Sequence, residues 1–357
     1  MMTLSFRWYG YNDPVTLQAI RQIPVIKEIV FAQYDAKPGA PWERSVLKGL
    51  VDTITNHGFY PGVIESIPVA ESIKLGNHNR DAAIEAWIAS MKLCAELLVP
   101  FEEKTGHKPV ITYNFMPAFD WLRTNLAYTL ADGSTTLAYE QDRLDTLNPR
   151  DSDFVLPGWI VDRETGEALL DAYETMTEEV LYDNLLYFLK AVVPYVERAG
   201  VVLALHPDDP PWSVFGLPRI ITGKTILERL FTDVPSPVNG LCFCSGSFGS
   251  TPHNNVYELA EIFASRIYFA HLRNVKLLHG KSFIETSHVS EAGNIDMAKL
   301  VYKLNSITGN IPVRPDHGRM IWGETGKPGY GLYDRALGAM YLAGLIEMAE
   351  KNSSAKL

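Results

Sequence analysis

VVLALH (201–206), GLCFC (240–244), IYFAH (267–271) and IPVRPD (311–316) are four short apolar runs, and each closes on a residue able to bind a metal ion: His206, Cys244, His271 and Asp316. Runs of this length, separated by stretches of helical period, read as consecutive parallel strands. In a closed parallel barrel the C-terminal strand ends form one mouth, where side chains from different strands converge. The alternative, an open doubly wound sheet, would place ligands at one switch point instead of a ring. No G-x-G-x-x-G follows the first strand, so the dinucleotide site common in such sheets is not expected.

The same alternation runs upstream. LSFRWYG (4–10), IKEIVFAQ (26–33), FYPGVIES (59–66) and PVITYNF (109–115) read as strands one to four. Between them lie a helix capped by Asp13, with Pro14 at its first position, and helices over about 42–57 and 79–104. Helices over 177–199, 222–231, 254–264, 296–305 and 332–351 complete the order, with strand seven taken as 266–273. Eight strands, each followed by a helix, make an α/β chain with the (β/α)8 TIM-barrel fold. The 357 residues exceed the ~250 typical of that fold but lie within its range when loops are extended, so 1–357 is expected as a single domain. Residues 116–177 break the rhythm with DGS, NPRDSD and PGW turn signals, predicting a long insertion after strand four that serves as a lid or an oligomer arm.

Composition narrows the chemistry. No apolar run approaches the ~20 residues of a membrane span, and MMTLSFRWYG lacks a basic segment followed by an apolar one, so a cytoplasmic protein without a membrane partner is expected. Three cysteines, Cys94, Cys242 and Cys244, cannot make a disulfide framework. Cys242 shares a strand face with Cys244 and lies two residues deeper, pointing into the barrel. A formal charge of -10 disfavours nucleic acid as a partner, although a local cluster of arginine, histidine and metal can still hold a small anion.

Each strand-end residue has an ordinary explanation when taken singly. His206 or His271 could be a satisfied core imidazole, Cys244 a small buried hydrophobe, and Asp316 a loop cap. Four at consecutive strand ends instead argue for one shared ion. Two imidazoles, a thiolate and a carboxylate leave room for substrate oxygens, which favours Mn2+ or Fe2+, with zinc as the competitor. The mouth should also receive Arg7, Tyr9, Glu65, Ser66, Tyr113, Asn114, Arg273, Asn274, His317, Arg319 and Tyr330. Of these, Arg7, Tyr9, Asn114, Arg273 and Arg319 are the expected substrate-binding residues, because a guanidinium fork beside a metal suits a carboxylate.

The runs RWYG (7–10), ESIPV (65–69), YNFMP (113–117), DWLRT (120–124), HPDDPP (206–211), GLCFCSGS (240–247), SEAGNIDM (290–297), RPDHGR (314–319) and GYGLYDRA (329–336) closely resemble the mannonate dehydratase family, in unbroken order from near residue 5 to near residue 345. The resemblance implies a xylose-isomerase-like barrel, a hydro-lyase that converts D-mannonate to 2-dehydro-3-deoxy-D-gluconate with Mn2+ or Fe2+ in hexuronate breakdown. It also implies His206, Cys244, His271 and Asp316 as the metal ligands, with His317 and Tyr330 catalytic. A homo-oligomer, with a dimer first, is the expected assembly. Dehydration of a 2,3-dihydroxy acid needs one group to take the C2 proton and one to protonate the leaving C3 hydroxyl, roles that His317 and Tyr330 would divide. Three other readings compete. An aldose–ketose isomerase would favour a carboxylate-rich site, a metal hydrolase would carry more His and Asp ligands and a basic surface, and a structural metalloprotein would have no use for an open polar mouth.

Overall fold

A computed structural model describes residues 2–119, 121–151 and 163–354. Eight parallel strands close into a barrel: β1 (Thr3–Arg7), β2 (Glu28–Phe31), β3 (Tyr60–Ile64), β4 (Val110–Tyr113), β7 (Val202–Leu205), β8 (Asn239–Cys244), β9 (Ile267–Leu272) and β12 (Pro312–Pro315). Their spatial order follows the chain, and β12 pairs back onto β1. Helices alternate with them, as in other (β/α)8 barrels, and the longest are capped by local chemistry. Thr177 accepts a hydrogen bond from Val180 N to start helix Glu178–Ala199, and Gly200, at φ 76°, ends it in the left-handed region that glycine tolerates.

Among the described residues, four short strands lie outside the barrel: β5 (Asn125–Thr129), β6 (Thr135–Tyr139), β10 (Val275–Leu277) and β11 (Phe283–Glu285). They form an antiparallel sheet in the order β10-β11-β6-β5. The stretch expected to lack regular elements thus contains a hairpin, and helices Gln141–Leu144 and Arg163–Tyr173 follow it. Residues 120 and 152–162 of that stretch lie outside the described residues. The side sheet escapes a local reading because it depends on pairing across the chain, such as Tyr139 with Phe283.

One cap differs from expectation. Thr16, not Asp13, caps the first helix, Leu17–Ile20, by accepting from Ala19 N. Asp13 instead accepts from Tyr9 N and Val15 N and so holds the loop after β1.

Side chains alternate along each strand, which sorts the barrel interior into layers. Val30, Val63, Val110, Val202, Ala204, Cys242 and Phe269 form one apolar cluster inside it. One step further along the same faces lie Glu65, Thr112, His206, Cys244 and His271. The polar mouth therefore rests on an apolar floor.

Candidate active site

Strand register brings the predicted ligands together. Cys244 pairs with His271 across β8 and β9, and His271 pairs with Arg314 across β9 and β12. His206 continues the ladder past β7, its N–H donating to Tyr113 O at 2.8 Å. The ligand atoms of His206, Cys244 and His271 all lie within 4.8 Å of one another. Asp316, just beyond β12, places Oδ2 at 3.7 Å from Cys244 Sγ and 3.9 Å from His271 Nδ1. All four expected ligands thus meet at one point, the carboxylate at the edge of the tighter trio.

Their chemistry suits a cation. Burial alone would push the Cys244 thiol up, but Arg273 and the imidazoles of His206 and His271 outweigh it and hold it well below the ordinary thiol range. His206 is, with Arg273, a counter-charge of the thiolate. Burial lowers its pKa, but the hydrogen bond and charge of Cys244, then Asp316 and Asp209, push it up to about 9. Its Nδ1 lies 2.7 Å from Pro207 O, which fixes that nitrogen as the donor and leaves Nε2 for a ligand. Cys242, 3.3 Å from His271 Nε2, is raised by burial and by Glu65, so it remains a thiol. The two cysteines on one strand face therefore differ in charge, and only Cys244 offers a thiolate.

Asp316 is ionised too. Burial opposes this, but Arg314, His317, His271 and Arg273 hold its carboxyl well below the usual range. Arg314 Nη1 approaches Oδ1 at 2.7 Å and Arg273 Nε approaches Oδ2 at 2.9 Å. Oδ1 nevertheless has no directional hydrogen bond, and Oδ2 is the oxygen turned toward Cys244 and His271. A thiolate, a carboxylate and two imidazoles fit a divalent ion.

Beside this cluster His317 and Tyr330 form a linked pair. Tyr330 Oη lies 2.7 Å from His317 Nε2, and His317 Nδ1 lies 2.8 Å from both oxygens of Glu285. Burial opposes Glu285 ionisation, but Arg273, His317 and Arg123 outweigh it and hold the carboxyl at about 2. A carboxylate there makes Nδ1 the protonated nitrogen, so Nε2 accepts from the tyrosine. Burial raises the Tyr330 phenol, with Arg7 acting against it, and the group stays protonated.

Behind these groups lies an ionic scaffold. Arg123 and Arg273 each bind both Asp209 and Glu285. Arg314 grips Glu65 with two hydrogen bonds, of 2.9 and 2.7 Å, and Arg7 Nη1 adds a third at 2.7 Å. Buried pairs of this kind survive desolvation only when each charge is fully matched, and here four guanidiniums face Glu65, Asp209, Glu285 and Asp316. Gly246 allows the close packing, because a Cβ there would lie 2.4 Å from Arg273 Nε.

The cleft is lined by Arg7, Glu65, Thr112, Asn114, Met116, Trp121, His206, His271, Arg314, Asp316, His317 and Tyr330, among others. Of the residues expected to meet substrate, Arg7 and Asn114 line it. Tyr9 packs against Arg7 and, edge to face, against Tyr330, supporting the wall. Arg273 sits behind the ligands in the scaffold. Arg319 binds Asp334 and Asp132 and lines a different depression, and Asn274 is consumed by backbone partners at Val289 and Ile295. The residues left out of the sequence reading are Trp121, Arg123, Asp209, Glu285 and Arg314. All but Glu285 lie inside motifs quoted above, whereas Glu285 comes from β11, a strand made by long-range pairing.

The sequence pattern of the family described as D-mannonate dehydratase (UxuA) matches residues 2–356. The mannonate dehydratase of Streptococcus uberis is 47% identical over 355 residues, covering 98% of this chain and 99% of its own. That of Oceanobacillus iheyensis is also 47% identical, covering 99% of both. The crystal structure of mannonate dehydratase from Streptococcus suis serotype 2 superposes with a TM-score of 0.90 at 43% identity, over 99% of this chain and 96% of that one. A xylose isomerase domain protein from Planctomyces limnophilus shares the fold alone, at TM-score 0.52 and 12% identity over 98% and 99% of the two chains. End-to-end agreement in sequence and backbone leads to one conclusion: the chain belongs to the D-mannonate dehydratase family.

Proposed function

We propose that this chain removes water from D-mannonate, giving 2-dehydro-3-deoxy-D-gluconate, with a divalent ion held by His206, Cys244, His271 and Asp316 and with proton transfer by His317 and Tyr330. Mn2+ or Fe2+ suits the mixed donor set better than zinc, because open positions are needed for substrate oxygens. When bound, the ion would supply Lewis-acid stabilisation of negative charge developing at the substrate carboxylate. The single observation that carries the reading is the Glu285–His317–Tyr330 chain of hydrogen bonds directed into the cleft that His206, His271 and Asp316 line.

Charge balance supports an anionic substrate. The four scaffold arginines are matched by four carboxylates, and with neutral imidazoles the Cys244 thiolate cancels only half of a divalent ion. One positive charge is left, which a single carboxylate neutralises. Arg7 and Asn114 are the cleft residues we assign to binding it and the adjoining hydroxyls.

The residues then divide the reaction as follows. Glu285 orients His317 and keeps Nε2 available as an acceptor. Tyr330 carries a proton and is in contact with that acceptor, so the pair holds what both halves need: a site for the C2 proton and a donor for the C3 hydroxyl. The C2–H and C3–O bonds break, water leaves, and the resulting enol rearranges to the 2-keto acid. Met116 and Trp121 line the cleft, so we read the 116–177 segment as a lid and not as an oligomer arm. The three buried, free cysteines fit a reducing, cytoplasmic setting, and no described helix is long and apolar enough to cross a membrane.

The test is incubation with D-mannonate, D-xylose and a phosphodiester, with and without chelator. A 2-keto acid is expected from mannonate alone, lost on chelation and recovered with Mn2+ or Fe2+. Isomerisation of xylose, or keto-acid formation indifferent to chelator, would contradict the reading.

A further inference from the structure

The last helix, Tyr333–Ser354, opens with two charged residues, Asp334 and Arg335, that are 2% and 0% exposed. An acid in the first turn of a helix ordinarily faces water and meets the helix dipole. Asp334 instead reaches back into the loop that follows β12. Its Oδ2 accepts from Arg319 N at 2.8 Å, and its Oδ1 accepts from Arg319 Nη2 at 2.8 Å. Arg319 stands two residues after His317, so this contact fixes one end of the segment that joins His317 to Tyr330.

Arg335 holds the other end. Nη2 donates to Tyr330 O at 2.6 Å, Nε to Gly331 O at 2.7 Å and Nη1 to Arg7 O at 3.2 Å. One planar fork thus links the main chain of Tyr330 to that of Arg7 in the barrel wall, and its Cζ lies 4.2 Å from the ring of Phe6 on the same strand. Burial pulls the guanidinium down to about 10, so it is charged at neutral pH. Among the described residues no carboxylate makes an ion pair with it; Asp13 acts on it through space but is held by Tyr9 N and Val15 N. Desolvating a charge without such a partner is unfavourable. What its three hydrogen bonds achieve is position.

The two ends meet at Gly318. Its N–H donates to Gly329 O at 2.8 Å, and a Cβ there would lie 3.2 Å from both Asp334 Cβ and Arg335 N. His317 and Tyr330 each adjoin a residue of that closing bond, which rests directly on the first turn of the helix. We propose that Asp334 and Arg335 are positioning residues that set the 2.7 Å contact between His317 Nε2 and Tyr330 Oη, Asp334 from the histidine side through Arg319 and Arg335 from the tyrosine side through its carbonyl. The inference rests on the reading of His317 and Tyr330 as the proton-transfer pair. Asp334 and Arg335 are absent from the described lining of the cleft, so both act through other residues. Misplacing a reacting group by about 1 Å costs about a hundredfold in rate.

Steady-state kinetics of the Mn2+-loaded protein test this with Arg335→Lys, which keeps the charge and loses the fork, and Asp334→Asn, which keeps the shape and loses the charge. In each, kcat for D-mannonate is expected to fall by about thirty- to a hundredfold, with KM and the Mn2+ titration within about threefold of wild type. On a Tyr330→Phe background Arg335→Lys is expected to cost less than about threefold more, because no phenol remains to be aimed. Asp132→Asn, which removes the 55% exposed partner of Arg319, is expected to stay within about threefold of wild type. Circular dichroism qualifies each variant as folded, and Arg319→Lys, at the 17% exposed end of the contact, replaces any that unfolds. Wild-type kcat in the folded variants would overturn the proposal, as would losses confined to KM or metal binding, losses that multiply on Tyr330→Phe, or an equal loss in Asp132→Asn. Wild-type turnover in Tyr330→Phe would overturn the proton-transfer reading itself, and the positioning role with it.

Discussion

Turnover of D-mannonate is expected to fall by about three to four orders of magnitude in either His317→Asn or Tyr330→Phe, while each variant still binds one metal ion per chain. The argument rests on geometry. His317 Nε2 and Tyr330 Oη lie 2.7 Å apart, so neither can act without affecting the other's protonation. Tyr330→Phe deletes one oxygen and keeps the ring that packs against Tyr9 and Arg7, so the wall survives. His317→Asn retains an amide able to donate to Glu285, which limits damage to the scaffold. Groups that work as a unit are strongly non-additive, so the double variant is expected to be only slightly worse than either single one. Steady-state kinetics and metal analysis check both halves. Wild-type-like turnover in one variant would remove that residue from the mechanism, and loss of metal with activity would make its role structural.

The second large effect is at Cys244. Cys244→Ser is nearly isosteric and keeps an oxygen that can accept from Ser247 N at the start of the following short helix. The charge is what it loses, because serine is not ionised where Arg273 and two imidazoles hold the thiol as thiolate. Without that anion the four arginines and four carboxylates leave no net negative charge to offset a divalent ion. Metal affinity is expected to fall by more than about a hundredfold and turnover at ambient metal by about a thousandfold, with partial recovery at high metal concentration. Cys242→Ser, one layer deeper and outside the ligand trio, is expected to retain both within about tenfold. Titration with Mn2+ distinguishes them. Equal losses in the two variants would mean that the cysteines act through packing and not through ligation.

The barrel was legible because short apolar runs ending in His206, Cys244, His271 and Asp316 state both strand direction and mouth. The linked pair lay close to the same signal, just past the last strand. What local pattern does not encode is partnership at a distance. Glu285 reaches His317 only because β11 pairs with β6, nearly 150 residues earlier in the chain. Arg273 reads like a substrate arginine, yet Asp209, Glu285 and Asp316 claim its whole fork. Arg319, two residues after His317, is turned away by Asp334 and the hairpin residue Asp132. For buried arginines the deciding quantity is the position of the nearest carboxylate, which only the folded chain supplies.

The central claim is that His206, Cys244, His271 and Asp316 hold one ion in the cleft that contains His317 and Tyr330. Anomalous scattering from a crystal of the Mn2+-loaded protein tests it most directly. The account predicts a single strong peak in the cleft, within about 2.0–2.5 Å of a donor atom from each of the four residues. A peak elsewhere, or one that leaves Cys244 or Asp316 unligated, would contradict it.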